Sequence, residues 1–412
     1  MTRRRIDGVP GAGDMPETEP CGDGLLYELS PVLSGLDSVL GQTDSPRWIE
    51  FVGEDQADKF ATVMDDLRRR HSTTGDGKRI ISGYSYVGVE PTIAWANACR
   101  DRLYPVMKQS IESFDRRWAS VRPSLGAVPY HYVSLGPGDG QKDAVILQDL
   151  RRDNAQLCYV PVDTSTEMLR LAVRDLIRQL KFSGKRILSV PLDFSAQDNA
   201  TELRRLLTGL FGDTPVLFSL LGNTIANFDD DVELLGMLAT ELLRPQDRFL
   251  LEVATTPRLD ADLATKAAAE YELSRSFGEF VISALRRYTD LHVDTENLLH
   301  QGTVEGDRAL LVKIIYQNQT GEDILITLPD RANVRFGRDD TIRLLITRKY
   351  GQEGLGALLA DSGVRMVRST HLDFAAAHNR SQFGMDLMIL ANQPDRVVVP
   401  AGPTLADDVW SG

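Results

Sequence analysis

The sequence predicts an α/β protein, a mostly parallel sheet flanked by helices, with a second α+β part drawn from the N-terminal region and a late insertion. Three observations carry this prediction. Short apolar runs alternate with helix-spaced segments between residues 130 and 254; the stretch 132-YVSLGPGDGQKD-143 runs a β-prone segment straight into a glycine-rich turn; and acids stand where the second and third apolar runs end, at Asp163 and Asp193.

Residues 1–30 are polar, with Gly, Pro and Glu, and predict a disordered leader. Residues 31–122 predict helices of a substrate or lid domain. Phe60, Met64 and Leu67 fall at i, i+4 and i+7, and 72-STTGDG-77 breaks the pattern. A second helical block, 91–118, carries Ile93, Ala96, Leu103, Met107, Ile111 and Phe114 at similar intervals, and 123–129 reads as a linker.

The core is expected over 130–258. Strands are predicted at 131–135, 157–162, 187–192, 215–221 and 248–253, with helices at 143–150, 166–180, 200–210 and 231–243. An inserted α/β section follows at 259–348, with one helix from 259 to 285 and strands at 309–316, 323–328 and 341–348. The segment 349–395 returns to the core as a helix (355–362) and two strands (365–370, 383–391), and 396–412 is a tail.

Composition excludes several classes. The 412 residues leave room for two or three domains, and the net charge of −13 with pI near 5.0 argues against a nucleic-acid partner. Cys21, Cys99 and Cys158 show no paired framework, no apolar run reaches the roughly 18 residues of a membrane span, and no signal-type segment is present, so a cytoplasmic location is expected. The six histidines show no ligand spacing, and no metal is expected.

A glycine turn between strand and helix brings backbone close to a ligand at a helix N-terminus. Gly136-Pro137-Gly138-Asp139-Gly140 fits G-x-G-x-G, with Gln141 where a dinucleotide fingerprint has its third glycine. Asp139 would set negative charge against a pyrophosphate, whereas a cationic sulfonium with an amino-acid tail accommodates it. S-adenosylmethionine is therefore favoured over NAD, which remains the alternative together with an oxidoreductase reading. Asp163 is placed to accept ribose hydroxyls, Asp193 an adenine amino group, Phe194 to cover the ring, and Gly222-Asn223 to close the fourth strand beside the cofactor.

With these residues in view, the chain resembles the histidine-specific, S-adenosylmethionine-dependent methyltransferases, among them the α-N-methyltransferase of ergothioneine biosynthesis and fungal relatives acting on prenylated tryptophan. The resemblance lies in 134-SLGPGDGQKD-143, 159-YVPVDTSTEML-169, 192-LDF-194 and 219-SLLGNTIANFD-229, the last reproducing the family's G-x-T-I-x-N. It implies a class I methyltransferase sheet with a substrate-recognition domain, a small-molecule amine acceptor, and no membrane partner. It also implies that Asn227 reaches the substrate, and that Tyr84 or Tyr86, in 82-SGYSYVGVE-90, folds over cofactor and amine. Glu252 and Asp229 are candidates to assist loss of the amine proton. Two departures stand out. Leu345 occupies the place of the glutamate that reads imidazole, with Thr347 at the place of its partner serine, and the carboxylate-clamping tyrosine is replaced near Ala267, Tyr271 being one turn away. The acceptor implied is an amino-acid-derived amine other than histidine, larger or more apolar; methyl transfer to carbon or oxygen, or reaction of the methionine tail, is the alternative chemistry.

Overall fold

The computed structural model describes residues 44–49, 55–374 and 383–393. The predicted leader, the tail and Cys21 lie outside them.

The described N-terminal elements are β1 (Arg47–Trp48), α1 (Asp55–Leu67), β2 (Lys78–Arg79), a 3-10 turn Ser82–Tyr86, α2 (Val89–Ala98), α3 (Pro105–Glu112) and α4 (Phe114–Val121). The block predicted as one helical run thus breaks twice. Asp101 Oδ1 accepts the Leu103 N–H at 2.9 Å in a tight turn, and Pro105 restarts the helix at its first position, where a missing N–H costs nothing. The alternation then follows the prediction closely: β3 (His131–Leu135), α5 (Gln141–Leu150), β4 (Tyr159–Asp163), α6 (Thr166–Leu180), β5 (Leu188–Pro191), α7 (Gln197–Phe211), β6 (Val216–Leu220), α8 (Asp231–Leu242) and β7 (Arg248–Thr255).

The insertion holds α9 (Ala261–Glu272) and α10 (Arg275–Tyr288), where one helix was expected. Ser274 separates them by accepting the Phe277 N–H on its hydroxyl at 3.1 Å, an N-cap that restarts the chain at a new angle. Next come β8 (Leu298–Glu305), β9 (Ala309–Gln317), the hairpin β10 (Ile324–Thr327) and β11 (Asn333–Phe336), and β12 (Thr341–Tyr350). β8 went unread because LLHQGTVE lacks alternation, and its register needs Gly302, where a Cβ would lie 1.9 Å from the Ala264 carbonyl oxygen. The chain closes with α11 (Gln352–Asp361), β13 (Val364–Asp373) and β14 (Gly384–Asn392).

Strands β1-β5-β4-β3-β6-β7 run parallel side by side, β14 lies antiparallel along β7, and β13 antiparallel along β14. The same sheet continues through Tyr350 paired with Thr255 into β12, then antiparallel to β9 and β8. Side chains alternate across it. Val133, Leu135, Val160, Phe218 and Leu220 face α7, α8 and α11, while Tyr132, Tyr159, Leu217 and Leu250 face α4, α5 and α6. Both faces being covered fixes the carboxyl ends of β3 to β7 as the one open edge, and the site lies there.

Candidate active site

Gly136, Gly138 and Gly140 all take positive φ (68°, 58° and 78°), which a side chain would strain. Gly140 is further pinned, because its Cβ would come within 3.0 Å of the Ala172 carbonyl oxygen where α5 packs on α6. A Cβ at Gly136 or Gly138 would meet only side-chain tips of Thr224 and Trp95 near 3.8–3.9 Å, so the turn leaves a bare backbone shelf in the cleft. The shelf is braced from below. Asp143 accepts hydrogen bonds from the hydroxyls of Tyr132 (2.6 Å) and Tyr159 (2.5 Å), and burial pushes its carboxyl up to about 6. Asp139 is buried in the turn and accepts from the Gln141 N–H at 3.3 Å and side-chain amide at 2.5 Å.

The predicted residues at the strand ends share one cleft. Gly136, Pro137, Gly138, Asp139, Asp163, Asp193, Phe194, Gly222, Asn223 and Asn227 all line it, with Tyr86 from the opposite wall. Asp163 Oδ1 accepts the Ser165 N–H at 2.8 Å; burial, reinforced by repulsion from Asp193, lifts its carboxyl to about 7. Asp193 Oδ1 is held by the Ser195 N–H and hydroxyl (3.0 and 2.6 Å), while Oδ2 has no partner among the described residues.

Within the loop after β6, Asn223 and Asn227 behave differently. Asn223, at φ 66°, spends its whole amide internally: Nδ2 donates to Thr347 Oγ1 and the Arg348 carbonyl (both 3.1 Å), and Oδ1 accepts the Ala254 N–H at 2.8 Å. It ties β7, β12 and the loop together. The Asn227 side chain forms no hydrogen bond among the described residues and faces the cleft free.

Two predicted residues are placed away from the cleft surface. Tyr84 packs in the core, its carbonyl accepting from the Tyr288 hydroxyl at 3.2 Å. Glu252 is fully buried behind the wall, ion-paired with Arg117 and Lys142, and accepts the Ser110 hydroxyl (2.8 Å) and the Gly222 N–H (2.7 Å). Burial opposes its charge, but Lys142 and Arg117 prevail and hold it down at about 2. Asp229 is bridged to Arg343 (2.7 Å) and Arg79 (2.6 Å).

The far wall holds residues that the sequence reading did not assign to the site: Trp95, Cys99, Tyr104, Met107, Ile111 and Phe277, besides Tyr271, Leu345 and Thr347. Trp95/Cys99, at the end of α2 and just past it, and Met107/Ile111, on α3, are i, i+4 pairs, a spacing indistinguishable from a core face. Lys142, on the floor, was also missed; it sits directly behind the glycine turn that singled out its neighbours.

A bare glycine shelf at a helix N-terminus, carboxylates at the ends of β4 and β5, and a parallel run of strands flanked by β14 reversed along β7 define an S-adenosylmethionine-dependent methyltransferase of the class I, Rossmann-like fold. The residues fit that cofactor: open backbone that a methionine tail could approach, Asp163 and Asp193 as acceptors for hydroxyl and amino donors, and buried Phe194, its ring 6.2 Å from that of Phe228, as an apolar face an adenine would need.

The sequence profile described as histidine-specific methyltransferase, SAM-dependent, matches residues 92–376, and the chain belongs to that family. No curated protein matches the sequence. Solved structures with a similar fold include the CcbJ methyltransferase from Streptomyces caelestis (11% identity, 69% of this chain and 95% of that one covered, TM-score 0.33). An S-adenosylmethionine-dependent methyltransferase from Clostridium acetobutylicum is similar too (13% identity, 82% and 99% covered, TM-score 0.32). So is the magnesium protoporphyrin IX methyltransferase from Synechocystis, solved with S-adenosylhomocysteine (10% identity, 75% and 98% covered, TM-score 0.39). Among the described residues no helix is long and apolar enough to cross a membrane, and no cluster of three or more His, Cys, Asp or Glu is arranged to hold a metal.

Proposed function

We propose that this methyltransferase N-methylates an amino-acid-derived small molecule other than histidine, in specialised metabolism. The observation that carries the reading is Leu345: a buried leucine lines the cleft beside Thr347, so that position offers no carboxylate to an imidazole. A buried ring N–H left unpaired there would lose most of its hydration energy.

The roles follow from placement. Gly136, Pro137, Gly138 and Asp139 hold the methionine part, Asp163 the ribose, Asp193 and Phe194 the adenine. Asn227 and Tyr86 bind the acceptor across the cleft; Asn223, Glu252 and Tyr84 hold these elements in position. The helices up to residue 122 and the insertion 259–348 act as the substrate-recognition part, since Trp95, Tyr104, Tyr271 and Phe277 come from them.

The cofactor supplies a methyl activated on sulfonium. With the cofactor held at Gly136 to Asp139, an acceptor bound by Asn227 and Tyr86 would receive the methyl on its free nitrogen lone pair, sulfur keeping the C–S electron pair and water taking the proton. The protein's part is alignment: the cleft holds donor and acceptor sites a short distance apart on fixed elements, which removes the entropy of encounter. Widely spaced cysteines, with Cys99 and Cys158 unpaired, favour a reducing cytoplasmic setting. Turnover of S-adenosylmethionine with histidine and with a panel of larger amino-acid-derived amines tests the reading: product from the amines and none from histidine is expected, and histidine as the best acceptor refutes it.

A further inference from the structure

Rings make up a large part of the wall facing the glycine shelf. Tyr86 meets Trp95 edge-on at 5.4 Å, Trp95 lies 6.5 Å from Tyr104, and Tyr104 packs 4.8 Å from Phe277. All four line the cleft. Tyr104 is only 6% exposed, yet its hydroxyl, like that of Tyr86, has no hydrogen-bond partner among the described residues. Both hydroxyls are left to the cleft, where a ligand can complete them. Burial drives the ionisation of both phenols well above the usual range, so each meets a ligand as a neutral donor or acceptor.

Charge narrows the ligand further. The cleft is lined by Asp139, Asp143, Asp163 and Asp193, against one lining cation, Lys142, which is already paired with Glu252. A free carboxylate carried into this wall would find no available guanidinium or ammonium. An ammonium would find carboxylates nearby and ring faces around it.

We propose that Tyr86, Trp95, Tyr104 and Phe277 form an aromatic box that takes an arylalkylamine as methyl acceptor, the ring stacked among them and the amine at the Tyr104 and Tyr86 hydroxyls. The proposal rests on the methyltransferase reading and specifies its substrate class. An aliphatic amine of equal length forgoes the ring contacts, histamine brings an N–H that Leu345 cannot accept, and an α-amino acid brings a carboxylate that finds no unpaired cation.

The full-length protein, saturated with S-adenosylhomocysteine, is titrated calorimetrically with phenethylamine, tryptamine, hexylamine, histamine and phenylalanine, with tryptophan emission recorded in parallel. An arylalkylamine is expected to bind at least tenfold tighter than hexylamine, histamine or phenylalanine and to shift the emission of Trp95. In Trp95→Ala the affinity falls about tenfold, as expected for a lost ring contact, while Trp95→Phe retains most of it. Because the Trp95 tip also borders the Gly138 shelf, S-adenosylhomocysteine affinity is measured alongside, and in both variants it should change by less than the arylalkylamine affinity. Equal or tighter binding of hexylamine or histamine, no saturable binding of either arylalkylamine, or full affinity in Trp95→Ala overturns the proposal. If S-adenosylhomocysteine itself does not bind, it is the donor assignment that fails, and the box falls with it.

Discussion

The two walls of the cleft are made in opposite ways. The donor wall is backbone and short polar side chains at consecutive strand ends, Gly136 to Asp139, Asp163 and Asp193, each held by its own local turn: Ser165 on Asp163, Ser195 on Asp193, Gln141 on Asp139. The acceptor wall is bulky side chains from four helices, a strand and a 3-10 turn far apart in sequence, brought together by packing. A cofactor shared by many enzymes calls for the first construction, and a variable substrate permits the second. Glu252 is the joint between them: it accepts from Gly222 on the donor side and from Ser110 and Arg117 on α3 and α4, behind the acceptor wall.

The largest effect is therefore expected at the joint. Glu252→Gln leaves Lys142 and Arg117 buried without their counter-ion, a loss of about 3–5 kcal/mol of folding stability, read from urea denaturation at pH 7. The pH dependence has a defined sign. The folded carboxyl titrates at about 2, below its unfolded value near 4.3, so its contribution is complete above about pH 4.5 and is lost as the pH falls towards 2. The variant should show a flatter stability profile across that window, and an unchanged profile would mean that the two walls are not joined through this carboxylate.

Asp163→Ala tests the donor wall alone. Removing a charge-assisted acceptor worth about 1.5–3 kcal/mol should weaken S-adenosylhomocysteine binding roughly 10- to 100-fold, with the fold intact. Because the free carboxyl titrates near 7 and the ionised form is the better acceptor for ribose hydroxyls, affinity should rise about tenfold from pH 6 to pH 8, with proton release on binding below pH 7. Calorimetry in buffers of different ionisation enthalpy measures both, and a pH-independent affinity would remove Asp163 from the ribose site.

The same contrast explains what could be read from the chain. Strand ends and a glycine turn are local, so 134-SLGPGDGQKD-143 and Asp163 carried their meaning in a dozen residues, and the α/β order followed from periodicity. Trp95, Met107 and Ile111 are spaced like any core face, and only tertiary packing turns that face to a cleft. Asn223 and Glu252 stand in ligand-like places in sequence, but their polar atoms are already bonded within the protein, which sequence does not record. β8 was illegible because Gly302 serves a close approach to α9 and breaks the alternation that marks a strand.

Asn223 gives the next, smaller effect. Asn223→Ala deletes three internal hydrogen bonds to Thr347, Arg348 and Ala254, each worth about 0.5–1.5 kcal/mol, and should lower stability by about 2–3 kcal/mol. Its effect on S-adenosylhomocysteine should be indirect, within about tenfold, because no polar atom of its side chain is left for the cofactor. A loss matching that of Asp163→Ala would mean that the amide leaves its internal bonds to reach the donor, and that the donor wall extends to this residue.

The smallest change should fall on the donor and the most specific on the acceptor. Leu345→Glu places a carboxylate where the family resemblance implies a glutamate that reads an imidazole. Leu345 lines the cleft beside Thr347 and away from the strand ends, so S-adenosylhomocysteine affinity should move by no more than about twofold. Histamine affinity should rise, because its ring N–H gains an acceptor where the wild-type wall has none, and arylalkylamine affinity should fall as the apolar contact is lost. Thermal denaturation separates this exchange from simple damage: a buried new carboxylate lowers stability, and histamine should recover part of the loss only if it pairs with that carboxylate. A variant that loses both ligands equally would place Leu345 in the core behind the box, and the acceptor wall would then be read from Trp95 and Phe277 without it.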